Sequence, residues 1–462
     1  MQTAAGKGAC APKIAPRVPV CPLVRTSRNS TSARGFIDGR QPIAGGSVAV
    51  AKPQSFQERS LVVLDYNDLA SGNHLHAQIE EALGPNGLGA LAVRNVPGYV
   101  ARRRLLLPQA HAFANLPEDV RRRYEDQESH YSVGWSHGKE SLSSGQPDTY
   151  KGSYYANPLV DDPLRPGPTD SLRPWQHSAL ASLEETLSSV DDSGRAGAGA
   201  SSSGRCSAEE EAELRRRHPG YYRPNLWPRQ ELPVFEVALK DLGRLIVAVG
   251  CLLMDHCDSY VSSRLGVQEG QLSGVLRRSY NPKARLLHYF AMPGPQLSLL
   301  AGTAGAQQPP QQQENEDSWC GLHTDHGSLT GLTSAMYLDA SGHEVPNPDP
   351  AAGLYIRDRS GHMVRAGIPA DCIAFQVGEA LQIHSGGLLQ ATPHFVRSAR
   401  GVAAAGVSRN TFAVFMQPNV DERMDCPPGM DPKSVKIGQW QPGCTFGKFA
   451  EDTFALYYHK NQ

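Results

Sequence analysis

Three things are scarce in this 462-residue chain, and each scarcity removes a class of function. The first is charge of one sign. With 45 basic residues against 46 acidic ones, no excess exists that would recruit nucleic acid or an anionic bilayer. The second is paired cysteine. The nine cysteines (Cys10, Cys21, Cys206, Cys251, Cys257, Cys320, Cys372, Cys426 and Cys444) are odd in number, scattered and free of any CxxC. Neither a disulfide framework nor a cysteine zinc site is expected, and a reducing compartment fits. The third is a long apolar run: Leu245 to Met254 is too short to span a bilayer and reads as a buried helix. Acid is also missing locally. Before Asp38 stand Lys7, Lys13, Arg17, Arg25, Arg28 and Arg34, amid Ser, Thr, Ala and Pro. That composition predicts an organelle transit peptide over 1–57, chloroplast ahead of mitochondrion, with an ordinary disordered N-terminus as the alternative.

What is present supports a sizeable core cut by many turns: 40% hydrophobic residues, with 45 Gly and 35 Pro. Ordered sequence is expected from about residue 58. An N-terminal α/β region over 58–185 is predicted from a strand at Leu61–Asp65, a helix at His74–Leu83, a strand at Ala90–Val93 and a helix at Tyr99–Asn115. Low-complexity insertions are expected at 186–212 and about 301–317, too polar and too glycine-rich to bury a core. Between them, Ala238, Leu242, Leu245, Val249 and Leu252 mark one face of a long supporting helix, Val234 to about Asp258. A catalytic core is placed over 213–425. Its short strands, among them Leu286–Ala291, Leu329–Leu338, Gly353–Arg357, Cys372–Val377, Leu389–Val396 and Asn410–Met416, argue for a sandwich or jelly roll. A tail with a helix closes the chain over 426–462. The fold class is therefore mainly β with flanking helices.

The chemistry lies in Trp319-Cys-Gly-Leu-His-Thr-Asp-His-Gly-Ser328. His323 and Asp325, two apart on an extended strand, point to one face, so an imidazole nitrogen and a carboxylate oxygen can share one metal ion. His326 alternates to the opposite face. A third ligand from a neighbouring strand would leave open positions, the arrangement of non-haem Fe(II) oxygen chemistry. Alone, an HxD pair in a protein with 16 histidines is weak. Its context is stronger. Leu116-Pro-Glu-Asp-Val-Arg-Arg-Arg-Tyr124, Asn225-Leu-Trp-Pro228, Gly353-Leu-Tyr-Ile-Arg357, Phe375-Gln-Val-Gly-Glu-Ala-Leu-Gln-Ile383, Ser385-Gly-Gly-Leu-Leu-Gln-Ala-Thr-Pro-His394 and Arg409-Asn-Thr411 follow in order.

Over roughly residues 60 to 425 this pattern resembles the isopenicillin N synthase-like branch of the Fe(II)/2-oxoglutarate-dependent dioxygenases. The resemblance implies a double-stranded β-helix, or jelly-roll, core with His323, Asp325 and His394 as iron ligands. His384 is the rival to His394. It further implies that Arg409 and Thr411, on one face of a strand, hold the distal carboxylate of 2-oxoglutarate, a fit for a guanidinium fork and a hydroxyl. Fe(II), 2-oxoglutarate and O2 follow as cofactor and cosubstrates, with ascorbate as an added reductant. Two departures stand out. Fifteen positions separate His394 from Arg409, with the extra length in Gly401-Val-Ala-Ala-Ala-Gly406, read as a lengthened hairpin turn. The Asn-Tyr-Tyr-Pro segment appears as His288-Tyr-Phe-Ala291, leaving Tyr289 or Phe290 as the cosubstrate tyrosine position.

The implied activity is hydroxylation or desaturation of a small organic metabolite. An oxidase of the same fold that uses no 2-oxoglutarate is the alternative, and a catalytically silent metal-binding module is the reading outside enzymology. The intact Asp325 argues against a halogenase. Tyr131, Trp135, Tyr150, Tyr154 and Tyr155 are candidate pocket walls, each equally at home in a core. Neither nucleic acid nor membrane is an expected partner, and the oligomeric state stays open.

Overall fold

In the computed structural model of the protein, residues 57–140, 147–167, 170, 207–291, 318–435 and 437–458 are described. The predicted transit region, apart from Gln57, lies outside them, as do 301–317 and most of 186–212. The first insertion ends earlier than expected: Ser207 caps a helix at Ala208–Arg217 in a reciprocal box with Glu210. No described helix is long and apolar enough to cross a membrane.

Fifteen strands follow in chain order: β1 (Gln57–Ser60), β2 (Val62–Asp65), β3 (Ala90–Arg94), β4 (Gly134–His137), β5 (Lys151–Ala156), β6 (Lys283–Tyr289), β7 (Ser318–His323), β8 (Leu329–Thr333), β9 (Met336–Leu338), β10 (Glu344–Val345), β11 (Gly353–Arg357), β12 (Met363–Gly367), β13 (Ile373–Val377), β14 (His394–Arg397) and β15 (Ser408–Met416). The smaller sheet runs β1-β12-β11-β14-β7, and the larger runs β2-β3-β13-β8-β15-β6-β5-β4 with β9 and β10 joined at β15. Together they make the jelly-roll core. The outer pairs β1–β12 and β2–β3 are parallel.

Alternation along β6 separates two cores. Ala284 and Leu286 turn toward the helices, whereas Leu287 and Tyr289 face the space between the sheets. The long helix Phe235–Leu265 covers the outer face of the larger sheet and ends seven residues beyond the point its sequence pattern suggested. It stops at Gly266, whose φ of 65° only glycine adopts readily. Its close approach needs missing side chains: a Cβ on Gly331 would stand 2.2 Å from Ile246 Cγ2, and one on Gly250 2.4 Å from Met416 Sδ. A side chain at either place would force its buried neighbour to shift.

Three local expectations need correction. The predicted strand Leu329–Leu338 is two strands, β8 and β9. The strand expected over Leu389–Val396 begins only at His394, because the Leu389, Gln390 and Ala391 amides donate to Ser385 Oγ, the Leu83 carbonyl and Gln382 Oε1 and not to a strand of the smaller sheet. The Gly401–Gly406 segment is not a hairpin turn. β14 belongs to the smaller sheet and β15 to the larger, so the segment crosses between sheets, with a single 3-10 turn at Val402–Ala404. A crossing needs more chain than a tight turn, which accounts for the long interval to Arg409. The C-terminal segment, predicted as a tail, folds back: Trp440, Phe446 and Phe449 pack with Ala380 and Ile383 of the short helix Glu379–His384.

Candidate metal and cosubstrate site

His323 is the last residue of β7, and Asp325 lies just beyond it in a loop, not on the strand itself. The two side chains nevertheless share a side, because Thr324 between them turns away to Glu379. His394 opens β14 and is the register partner of His323. One ligand atom from each of His323, Asp325 and His394 lies within 4.8 Å of the others. Asp325 Oδ1 stands 3.7 Å from His323 Nε2 and 3.9 Å from His394 Nε2. Imidazole and carboxylate bonds to a divalent first-row metal run about 2.1 Å, so neighbouring ligands stand about 3 Å apart. Small side-chain rotations close that difference, and the donor set suits iron with three positions left open.

Both outer nitrogens already have partners. His323 Nδ1 lies 2.7 Å from the Gly321 carbonyl, and His394 Nδ1 lies 3.2 Å from that of Thr392. Each ring therefore carries its proton on Nδ1 and offers the Nε2 lone pair inward. The Gln376 amide also approaches His394 Nδ1, at 2.5 Å, with its nitrogen placed there and its oxygen left without a partner. Turning that amide over lets the oxygen accept from Nδ1–H and gives up the 3.4 Å contact of its nitrogen with the Thr392 carbonyl. Thr330 Oγ1 donates to Asp325 Oδ2 at 2.6 Å, leaving Oδ1 for the shared point. Sequence reading missed Gln376 and Thr330. Gln376 lay within the quoted Phe375–Ile383 block, but only the β13–β8 pairing puts it beside Thr330.

Electrostatics point the same way. Burial opposes ionisation of Asp325, but the two imidazoles and the Thr330 hydroxyl outweigh it and hold its carboxyl below the usual range. Burial, then the nearby charge of His323, push His394 down to about 4, so the imidazole is neutral near pH 7. An ionised carboxylate and a neutral imidazole are the states a metal ion requires. The loop is pinned from behind. At the start of the helix Glu379–His384, amides that have no partner within the helix donate to it: Glu379 N to Asp325 O at 2.8 Å and Ala380 N to Gly327 O at 3.1 Å.

Arg409 is buried on β15 opposite Tyr289, its guanidinium 4.8 Å from the ring centre. Thr411 shares that face, so the three predicted cosubstrate residues line one wall between the sheets. Phe290 turns the other way, against His288 and His137. Two histidines stand outside the cluster. His384 Nε2 is bonded to the Arg423 carbonyl at 2.9 Å, and His326 stacks on Phe446. Of the aromatic candidates, Trp135 and Tyr154 belong to the core under the helices, whereas Tyr150 packs between the sheets.

No family model matches the chain, and no curated protein does. Solved structures do. A full-length Neurospora crassa protein in complex with alpha-KG is similar at 17% identity and a TM-score of 0.54, over 84% of this chain and 94% of that one. A 2OG-Fe(II) oxygenase family protein from Caulobacter crescentus matches at 14% identity and a TM-score of 0.53, covering 86% and 98%. JOX2 in complex with 2OG, Fe and JA matches at 15% identity and a TM-score of 0.51, covering 89% and 93%. The jelly roll and its covering helices make this chain's fold that of the 2-oxoglutarate- and Fe(II)-dependent oxygenases.

Proposed function

We propose that this protein is an Fe(II)- and 2-oxoglutarate-dependent dioxygenase that hydroxylates or desaturates a small organic molecule. The observation that carries the proposal is the buried convergence of His323, Asp325 and His394, with both outer histidine nitrogens and the outer carboxylate oxygen already engaged. These three residues would hold Fe(II). When bound, the metal supplies dioxygen chemistry that couples decarboxylation of 2-oxoglutarate to oxidation of a C–H bond. Arg409, Thr411 and Tyr289 would bind the cosubstrate's distal carboxylate, and the apolar side chains Leu287, Ala413 and Val396 would exclude water around it. Structures of the same fold hold alpha-KG in one case and 2OG with Fe in another, which favours this reading over an oxidase without 2-oxoglutarate.

The test is succinate release from 2-oxoglutarate on admitting air to the iron-loaded protein, with Asp325→Ala as the blank. Wild type is expected to form succinate slowly even without substrate. The blank should form less than about one hundredth as much, since it lacks the sole carboxylate ligand. Absence of succinate from well-folded, iron-loaded wild type would overturn the proposal.

A further inference from the structure

Opposite the candidate metal centre, the wall between the sheets carries a lysine that no acid among the described residues balances. Cross-strand register fixes its place. Gln376 and Thr330, which hold His394 and Asp325, are partners; Thr330 faces Phe415, and Phe415 faces Lys283. At about 4.8 Å per strand, Lys283 lies two strands, or about 10 Å, from Thr330 along one row. The row thus runs from the residues that orient two candidate ligands, across a half-buried phenyl ring, to an ammonium group.

The surroundings of that ammonium are neutral. Lys283 Nζ donates to the carbonyls of Ser132, at 2.9 Å, and Gly220, and lies 5.5 Å from the centre of the Tyr221 ring. Among the described residues no carboxylate stands within 4.0 Å of it. The neighbouring cations on the same face differ. Lys151 pairs with Asp148 and Glu140, both at 2.9 Å, and Arg285 pairs with Glu140 at 2.8 Å. Burial alone lowers the Lys283 amine to about 7. A half-buried cation without a counter-charge is costly to a fold, and an arriving anion relieves that cost. Two carbonyl acceptors leave one N–H of the ammonium for a ligand.

We propose that the substrate is a small carboxylic acid with an apolar body, lying along the Thr330–Phe415–Lys283 row with its carboxylate on Lys283. This rests on the oxygenase reading, which makes the space between the sheets the substrate chamber. The apolar body packs on Phe415, and the end remote from the carboxylate meets the cluster of His323, Asp325 and His394. An ester or amide of the same acid keeps the apolar contact and loses the charge pairing.

The test compares phenylacetate, cinnamate, 3-phenylpropionate and octanoate with their methyl esters. Binding to the Fe(II)- and 2-oxoglutarate-loaded protein is measured without oxygen, by equilibrium dialysis. At least one acid should bind about tenfold or more tightly than its ester, the scale of one charge-assisted hydrogen bond. Lys283→Met should cut that preference below about threefold while leaving ester binding in place, and Lys283→Arg should retain most of it. A purely structural lysine would weaken acid and ester alike. Equal binding of acid and ester throughout, no binding of any compound, or equal losses in Lys283→Met would each overturn the proposal. Succinate release without any of these compounds reports on the oxygenase reading separately. A Lys283-dependent preference in a protein that never forms succinate would uphold the acid site and sink the oxygenase.

Discussion

The two ends of the space between the sheets are built from the same strands and differ in almost everything else. At one end Leu61, Leu88, Ala90, Ala92, Ile356, Val364, Ala366 and Ala374 close against each other. At the other, Leu287, Tyr289 and Ala413 share the wall with Arg409 and Thr411. Leu332 packs against both clusters and marks the divide. The apolar end supplies the burial that holds the sheets together, so the other end is free to keep charged groups. The division of labour makes a claim: damage at the closed end should cost stability and spare binding, and damage at the open end should do the reverse.

The largest expected effect tests the closed end. Leu61→Ala removes a side chain that is 5% exposed and should lower unfolding free energy by about 3 kcal/mol. Metal affinity of the folded fraction should stay within about threefold of wild type. Chemical denaturation and a competitive metal titration on one preparation measure both. A tenfold loss of metal affinity would show that the two ends are not independent.

The converse is Arg409→Ala at the open end. Losing a guanidinium that grips a carboxylate with parallel hydrogen bonds should weaken 2-oxoglutarate binding by about 2–3 kcal/mol, on the order of 100-fold in Kd. Calorimetric titration of 2-oxoglutarate into metal-loaded protein reads it. Unchanged affinity would move the protein toward an oxidase that does not use this cosubstrate.

A third effect concerns protons on the outer face of the same wall. His288, opposite Asn410 on β15 and bonded to its Oδ1 at 2.8 Å, is pushed down to about 4 chiefly by burial. An unfolded histidine titrates near 6.5, so between those values the unfolded chain binds a proton that the folded chain refuses. Stability then falls as pH drops through that window, by about 2 kcal/mol between pH 7.5 and pH 5. His288→Gln should remove that share of the slope in denaturation curves taken at the two pH values. An unaltered slope would place the acid sensitivity elsewhere.

The contrast also explains what the sequence disclosed. The HxD pair was legible because alternation is local: two residues apart is one face whether the strand ends at His323 or runs on through Asp325. The long helix was legible through its apolar stripe, and Tyr289 was already a candidate for the place opposite Arg409. What stayed hidden depends on register between segments far apart in the chain. Thr330, Phe415 and Lys283 share a row only because β8, β15 and β6 pair as they do. Gly401–Gly406 looked like a turn because glycines flank it, and nothing within those six residues says that the flanking strands belong to different sheets. Tyr154 and Tyr155 are neighbours in sequence, yet Tyr154 packs under the helices while Tyr155 faces Arg285.

The smallest effect asks how far the metal cluster depends on its supports. Gln376→Leu removes the amide beside His394 Nδ1 and puts a side chain of similar size in its place. Losing such a support commonly weakens metal binding by about 10- to 100-fold. Here the lower figure is expected, because the Thr392 carbonyl remains within 3.2 Å of the same nitrogen and still fixes the proton there. Stability should hold or rise slightly, since an apolar group replaces a buried amide without leaving its partner unsatisfied. A chelator competition with Fe(II) or Co(II), read beside the thermal midpoint, separates the two quantities. A tenfold loss with an unmoved midpoint would show Gln376 acting on the metal through His394. No loss would mean that the Thr392 carbonyl alone orients the ring, and the support would then come from the backbone just before β14 instead of from the larger sheet.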